Sequence, residues 1–104
     1  MNRLAFKMKL FPGCAQEYKK RHDRLWPELL QSLKDAGIKE YSIFLDEETN
    51  YLFSTLRVDD MEGFEKLPIL EIMQKWWKYM ADIMDTNADY SPVATELNEV
   101  FYLP

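Results

Sequence analysis

Cysteine, histidine and glycine are scarce in this chain of 104 residues, and each scarcity excludes a class of site. The single cysteine, Cys14, cannot form an internal disulfide, and one cysteine with one histidine cannot supply the usual zinc ligands. The three glycines form no phosphate-binding loop, and neither a Gly-x-Ser-x-Gly elbow nor a calcium-binding loop occurs. The sequence therefore predicts no metal site, no cofactor held by a known motif, and a reducing compartment.

Excess positive charge and long apolar runs are missing as well. The formal net charge of -5 at pH 7 opposes binding to phosphate backbones, so nucleic acid is not an expected partner. The one basic cluster, residues 19–24, is interrupted by Asp23 and is predicted to be a solvated helix face. The charged N-terminus is unlike a signal peptide, and no segment approaches the roughly 18 apolar residues of a membrane span. We expect a cytoplasmic protein that does not bind membranes.

The size and composition favour one domain over residues 1–104 with its own core. Hydrophobic residues make up 47% and aromatic residues 14% of the chain, which is generous for this length. Some of this apolar surface is therefore expected to be buried against a second copy, in a homodimer.

The first half of the chain predicts a strand, a helix and a hairpin. Apolar and polar residues alternate over Leu4–Leu10, and helical spacing follows over Cys14–Asp35, with Gly37 as the C-terminal cap. Pro27 should kink or restart this helix near residues 25–26. Aromatic and β-branched residues then predict two strands joined by a polar turn, Tyr41–Leu45 and Tyr51–Val58.

The second half predicts a broken helix and a final strand. Asp59 or Asp60 should cap a helix that is interrupted at Pro68 and continues at helical spacing as far as Met84. Residues 87–92 are predicted to be a loop, and the apolar segment Leu97–Leu103 is predicted to be the last strand.

This order predicts an α+β, ferredoxin-like βαββαβ fold with a four-stranded antiparallel sheet. Both helices lie on one face of such a sheet. The other face is then expected to carry apolar residues and to be covered by a second copy of the chain.

The single histidine, His22, is the first candidate for chemistry, since its unperturbed pKa of about 6.5 suits proton transfer near neutral pH. Tyr18 and Trp26 lie four residues on either side of it and share its helix face. A phenol, an imidazole and an indole then line one groove. Spacing alone fits a core-facing aromatic stripe equally well, so it does not decide between packing and catalysis.

A second aromatic group contains Trp76, Trp77 and Tyr79. Adjacent indoles on a helix point about 100° apart, so both are not expected to serve the same core. Aromatic faces suit the C–H groups of sugars, although they are also ordinary core and interface residues. The 18 acidic residues mark no glycosidase pair.

Three segments stand out in the sequence: residues 21–23 (RHD) followed by 26–29 (WPEL), residues 76–80 (WWKYM) and residues 99–104 (EVFYLP). Together they resemble the L-rhamnose mutarotase family. Tyr41 with Leu45-Asp46 after it, and Ser91-Pro92, also follow in the expected order, so the resemblance runs the length of the chain. The chain departs from the family pattern at Tyr90, where asparagine is expected, and more loosely over residues 59–70.

The resemblance implies a dimeric α/β barrel, in which the sheets of two ferredoxin-like subunits pack together. It also implies an isomerase that interconverts the anomers of L-rhamnose, with the residue matching His22 as proton donor and no cofactor. The residues implied to contact the sugar are Tyr18, Tyr41, Trp76 and Trp77.

The implied reaction opens and closes the sugar ring by acid–base chemistry. His22 is expected to protonate the ring oxygen, while Tyr18 orients it or relays the hydroxyl proton. Trp76 and Trp77 are expected to stack on the sugar and shield its 6-methyl group. Two alternatives keep the same fold, namely a cofactor-free or haem-linked oxygenase of the dimeric barrel kind, and a dimer that binds sugar without catalysis.

Overall fold

A computed structural model describes residues 2–104, and Met1 of the predicted domain lies outside the described residues. In chain order the elements are β1 (Asn2–Lys9), α1 (Ala15–Asp23), α2 (Pro27–Asp35), β2 (Ile38–Asp46), β3 (Tyr51–Val58), α3 (Met61–Lys66), a 3-10 turn (Leu67–Ile69), α4 (Glu71–Met80) and β4 (Thr95–Glu96). No helix within residues 2–104 is long and apolar enough to cross a membrane.

The strands form one antiparallel sheet in the order β2-β3-β1-β4. This is the strand order of the ferredoxin-like fold, so the predicted fold class is confirmed. Alternate residues of β3, from Leu52 to Val58, are buried, and their partners on β1 lie on the same face. That face and the helices enclose the core, which includes Leu10, Leu29 and Met80.

Pro27 ends one helix and begins another. Trp26 is extended, with φ of -59° and ψ of 131°, and Pro27 occupies the first position of α2, where its missing N–H costs no hydrogen bond. The predicted break is therefore confirmed, as two separate helices. Gly37 follows α2 with a positive φ of 81°, as predicted for a helix cap.

The second predicted helix is shorter than the spacing indicated. Asp60 caps α3, since its side chain accepts a hydrogen bond of 3.1 Å from the Glu62 N–H, and the break at Pro68 is confirmed. The predicted continuation to Met84 is wrong, because α4 ends at Met80. Met84 is buried and pairs with Leu10 in an isolated β-bridge. Its side chain is therefore apolar because it packs in the core beside the sheet, and not because it belongs to a helix.

The predicted last strand, Leu97–Leu103, is also wrong. The strand β4 comprises Thr95–Glu96, and its pairing with β1 effectively ends where the Leu97 N–H donates to the Ala5 carbonyl at 2.8 Å. Beyond it, within residues 2–104, the backbone pairs with no further strand, and the side chains of Val100 and Phe101 are 95% and 78% exposed. Apolar composition alone does not make a strand without a partner.

The sheet face away from the helices is mixed, so the expectation of an apolar face is wrong. It carries Lys7 and Arg57 as well as Phe44, which is 63% exposed. At the start of β1, the Arg3 guanidinium lies 3.2 Å from the Tyr102 ring centroid. Basic groups and aromatic rings thus alternate on this surface.

Candidate active site

A β-bulge in β2 directs Tyr41 towards the helices. The register between β2 and β3 shifts between Lys39 and Ser42, and Glu40 has a positive φ of 51°. The extra residue shifts the alternation of side chains by one position. Ile38 faces the helices before the bulge, and after it Tyr41 and Ile43 share that face. Burial raises the pKa of Tyr18, and an electrostatic interaction with Tyr41 raises it further.

The imidazole of His22 is held in one orientation by its own helix. Nδ1 lies 2.9 Å from the Tyr18 carbonyl oxygen, one turn earlier. A carbonyl oxygen only accepts hydrogen bonds, so Nδ1 carries the proton and Nε2 carries the lone pair in the neutral ring. The Tyr18 ring stacks on the imidazole with 4.3 Å between centroids. Backbone and ring of Tyr18 together fix the tautomer and the plane of His22.

Burial sets the protonation states of the three polar rings. It lowers the pKa of His22 below 6.5, and the Tyr18 carbonyl and the charge of Asp23 offset this only in part. Burial raises the pKa of Tyr18 and of Tyr41 above 10. The residue Tyr41 as a whole is 45% exposed, and the burial of its hydroxyl is enough to raise the pKa. At neutral pH the site holds a neutral imidazole and two neutral phenols.

An aromatic cluster surrounds the imidazole on the side of α4. The Trp76 indole meets His22 edge-on at 5.4 Å and Trp26 edge-on at 5.1 Å between centroids. Tyr79 lies 5.4 Å from Trp26 and 5.7 Å from Trp76. Such edge-to-face contacts are favourable and directional, so they stiffen the wall of the site.

Trp77 is not joined to this cluster. Within residues 2–104, it makes no ring contact with His22 or Trp76, and it lies half-buried against the core. Trp76, in contrast, is only 7% exposed. The two indoles therefore serve different surfaces, as the 100° step between neighbours on a helix predicts.

The structure adds two residues to the predicted site, Arg21 and Tyr79, although the sequence had already grouped Tyr79 with Trp76 and Trp77. The spacing of Trp76 and Tyr79, three residues apart on a helix, was a signal that both share one face. Arg21 belongs to the basic cluster that was predicted to be solvated, yet its side chain is 9% exposed and is bonded to Glu17 and Asp82. For Arg21 that prediction is wrong, because its partner Asp82, just beyond α4, is too distant in the sequence to be recognised from local spacing.

Two cavities in the described part of the chain are lined by residues other than His22. One, of about 180 Å³, is lined by Trp26 and Tyr79 together with charged residues of α1. The other, of about 260 Å³, lies on the open sheet face near Arg3 and Glu99. Titratable chemistry is concentrated at His22, so we place the candidate site there.

Comparison with known proteins connects this arrangement to one enzyme family. A family model described as L-rhamnose mutarotase matches residues 3–103. A protein of Formosa agariphila named L-rhamnose mutarotase is 59% identical over 103 residues and 99% of each chain. Proteins with the same name from Listeria monocytogenes and Sinorhizobium fredii are 55% and 54% identical over 99% of each chain.

Solved structures show the same likeness in three dimensions. The crystal structure of an L-rhamnose mutarotase from Formosa agariphila superimposes with a TM-score of 0.94 at 57% identity and covers 100% of both chains. A dimeric ferredoxin-like protein from an uncultured marine organism has a TM-score of 0.65 at 17% identity over 99% of both chains. The second likeness concerns the fold alone.

Proposed function

The chain belongs to the L-rhamnose mutarotase family, and on that basis we propose that it interconverts the α and β anomers of L-rhamnose with His22 as its acid–base residue. The observation that carries this proposal is the hydrogen bond of 2.9 Å between Nδ1 of His22 and the Tyr18 carbonyl. It leaves Nε2 as the one nitrogen available to a bound sugar. The enzyme is an isomerase that needs only its own side chains for this proton transfer.

Ring opening begins with the neutral imidazole as a base. Nε2 of His22 accepts the proton of the anomeric hydroxyl while the bond between the anomeric carbon and the ring oxygen breaks. The electron pair of that bond stays on the ring oxygen, which takes the proton back from Nε2. Both oxygens are bonded to the same carbon, so one nitrogen reaches both. The role of proton donor, which the resemblance implied for His22, is thus the second of two proton transfers, in which Nε2 returns the proton to the ring oxygen.

Ring closure reverses these steps on the other face of the aldehyde. Rotation about the bond between the aldehyde carbon and its neighbouring carbon presents the other face. The former ring oxygen, now a hydroxyl, attacks the aldehyde carbon, and its proton passes through Nε2 to the carbonyl oxygen. No atom or proton is gained or lost overall. The neutral phenols of Tyr18 and Tyr41 donate hydrogen bonds to sugar oxygens in this scheme, because their raised pKa values keep them protonated.

The aromatic walls suit a 6-deoxy sugar. Trp76 is fixed by its edge contacts, while half-buried Trp77 retains accessible surface for stacking on the sugar. Apolar rings tolerate a methyl group, whereas a hydroxymethyl group there would lose hydrogen bonds to water. We therefore assign sugar contact to both indoles, with Trp76 as the rigid one.

The alternatives weighed from the sequence are less well supported. The family matched over residues 3–103 is one of mutarotases and not of oxygenases. A binding protein without catalysis would have no need for a buried histidine whose tautomer is fixed. A visible haem band, or sugar binding without faster exchange, would favour these alternatives instead.

The experiment is saturation-transfer NMR between the anomeric proton signals of the free sugar. We expect the protein to accelerate exchange in L-rhamnose well above the buffer rate. L-mannose is the matched control, since it differs from L-rhamnose only by a hydroxyl at carbon 6, and we expect a smaller acceleration. No acceleration with either sugar would contradict the proposed function.

We also propose that the protein acts as a cytoplasmic homodimer. The segment Glu99–Pro104 leaves the sheet with Val100, Phe101 and Leu103 at least 78% exposed, and Phe44 is exposed on the open sheet face. Exposed apolar side chains of this size are often covered by a partner, and a second copy of the chain covers them in this proposal. The single Cys14 fits a reducing compartment.

A further inference from the structure

Arg21 directly precedes His22 on α1, and each of the three nitrogens of its guanidinium donates at least one hydrogen bond. Nε donates to Glu17 at 2.8 Å, and the two terminal nitrogens donate to the Asp82 carboxylate at 2.8 and 3.2 Å. One of them also donates to the Tyr79 carbonyl at 2.8 Å. The side chain is 9% exposed, whereas that of Lys19 on the same helix is 77% exposed.

Through these hydrogen bonds, Arg21 connects the C-terminal end of α1 with the C-terminal end of α4. Tyr79 lies in the last turn of α4, where carbonyl oxygens have no partner within the helix, and Asp82 follows just beyond it. A cation is favoured at this position by the negative end of the helix dipole. Arg21 thus ties the end of α1 to the end of α4.

The tie lies beside the contact that shapes the site. His22 is the next residue on α1, and Trp76 lies one turn before Met80 on α4, with their rings 5.4 Å apart edge-on. We propose that Arg21 is a positioning residue for anomer interconversion, because it sets the spacing between the imidazole of His22 and the indole of Trp76. This inference rests on the proposed function and names no direct contact between Arg21 and the sugar.

The geometry requires an arginine. Its planar fork supplies parallel N–H groups to the carboxylate and a further N–H to the carbonyl, and its flat face lies 4.3 Å from the Tyr79 ring centroid. A lysine would carry its three N–H groups on one nitrogen and would lose the parallel pair of hydrogen bonds to the Asp82 carboxylate. The hydrogen bond from Arg21 also lowers the pKa of Asp82, so both charges persist at neutral pH.

The test compares Arg21→Met, Arg21→Lys and Asp82→Asn with the wild-type protein. Lys20→Met is the matched control, since it also removes one positive charge from α1. The side chain of Lys20 is exposed and has no ion-pair partner within residues 2–104. Two quantities are measured at a temperature where each variant is folded. They are the exchange rate at saturating L-rhamnose per folded molecule, and the imidazole proton resonances, which the Trp76 ring current shifts and which belong to one histidine only.

We expect Arg21→Met to lower the saturated rate by about 10-fold to 100-fold, the usual cost of misplacing a catalytic group by about 1 Å. Arg21→Lys and Asp82→Asn should fall between Arg21→Met and the wild type, and the imidazole resonances should shift in the same order. The Lys20→Met control should match the wild type in both readouts.

Two outcomes would overturn the positioning role. One is a lower melting temperature for the Arg21 variants with a wild-type rate per folded molecule, and the other is an unshifted imidazole. If the wild type itself does not accelerate exchange, the proposed function fails, and the imidazole resonances alone then decide whether Arg21 sets the spacing.

Discussion

At the scale of single residues, the proposed mechanism depends on the protonation state of His22. Its pKa is lowered below 6.5 because burial disfavours the charged ring. We expect the exchange rate to be level above pH 7 and to fall as the pH drops through this lowered pKa, since protonation removes the lone pair on Nε2. Titration of the imidazole proton resonances and the pH profile of the rate should give the same midpoint.

The same shift predicts how stability depends on pH. The unfolded chain, with a histidine pKa near 6.5, binds the proton more readily than the folded one. The contribution of His22 to the free energy of unfolding is therefore fully present above that value and is lost as the pH falls through the folded pKa. A midpoint above 6.5 in either titration would contradict the neutral-base mechanism.

Trp76 and Trp77 differ in what they stabilise. Trp76 contacts three other rings, so we expect Trp76→Ala to cost about 3 to 5 kcal/mol of stability. Trp77→Ala leaves those contacts intact and should weaken the apparent affinity for L-rhamnose with little change in the saturated rate. Thermal melting and fluorescence titration separate the two effects, and an unchanged affinity in Trp77→Ala would show that this indole only packs.

At the scale of elements, the turn before β4 carries a strained residue. Tyr90 has a positive φ of 70°, in the left-handed region that asparagine tolerates better than tyrosine. We expect Tyr90→Asn to raise the free energy of unfolding by up to about 1 kcal/mol without changing the exchange rate. Tyr90→Ala is the control, since alanine keeps the strain, and equal stability of the two variants would contradict this explanation. The departure at Tyr90 thus concerns the backbone of a turn.

Elements with a strong local signal were predictable from sequence, and those that depend on a distant partner were not. Pro27 and Asp60 act on their own neighbours, so the helix break and the cap were predicted correctly. The bulge at Glu40 depends on register against β3 and could not be predicted. Segment 97–103 has the composition of a strand, but a strand needs a neighbouring strand to pair with. Within residues 2–104, such pairing ends at Leu97.

The same distinction applies to the site. Helical spacing predicted one shared helix face for Tyr18, His22 and Trp26, which holds for the first two. For Trp26 the prediction is wrong, because α1 ends at Asp23, and Trp26 joins the cluster through its contact with Trp76. Spacing could not show that the Tyr18 carbonyl fixes the imidazole tautomer, because this requires the direction of the side chain. The roles of the site residues remain predictions of the mechanism.

At the scale of the whole molecule, the exposed C-terminal segment predicts association. We expect sedimentation to give a particle of about twice the 12.5 kDa chain mass at micromolar concentration. Phe101→Asp should shift the equilibrium towards the monomer, because it places a charge in the apolar surface to be covered. Ile69→Asp is the matched control, as Ile69 is also exposed but lies on the 3-10 turn, and it should leave the dimer intact. A stable wild-type monomer would contradict the proposed dimer.

Replacement of His22 by asparagine tests the mechanism most directly. We expect His22→Asn to remain folded and to lower anomeric exchange in L-rhamnose by roughly 100-fold to 10,000-fold, the usual contribution of a positioned acid–base group. The decisive measurement is saturation-transfer NMR on wild-type and variant protein, with the melting temperature taken on the same samples. A folded variant with wild-type exchange would contradict the assignment of His22, and a variant that loses stability while its folded fraction keeps full activity would show that the imidazole serves packing alone.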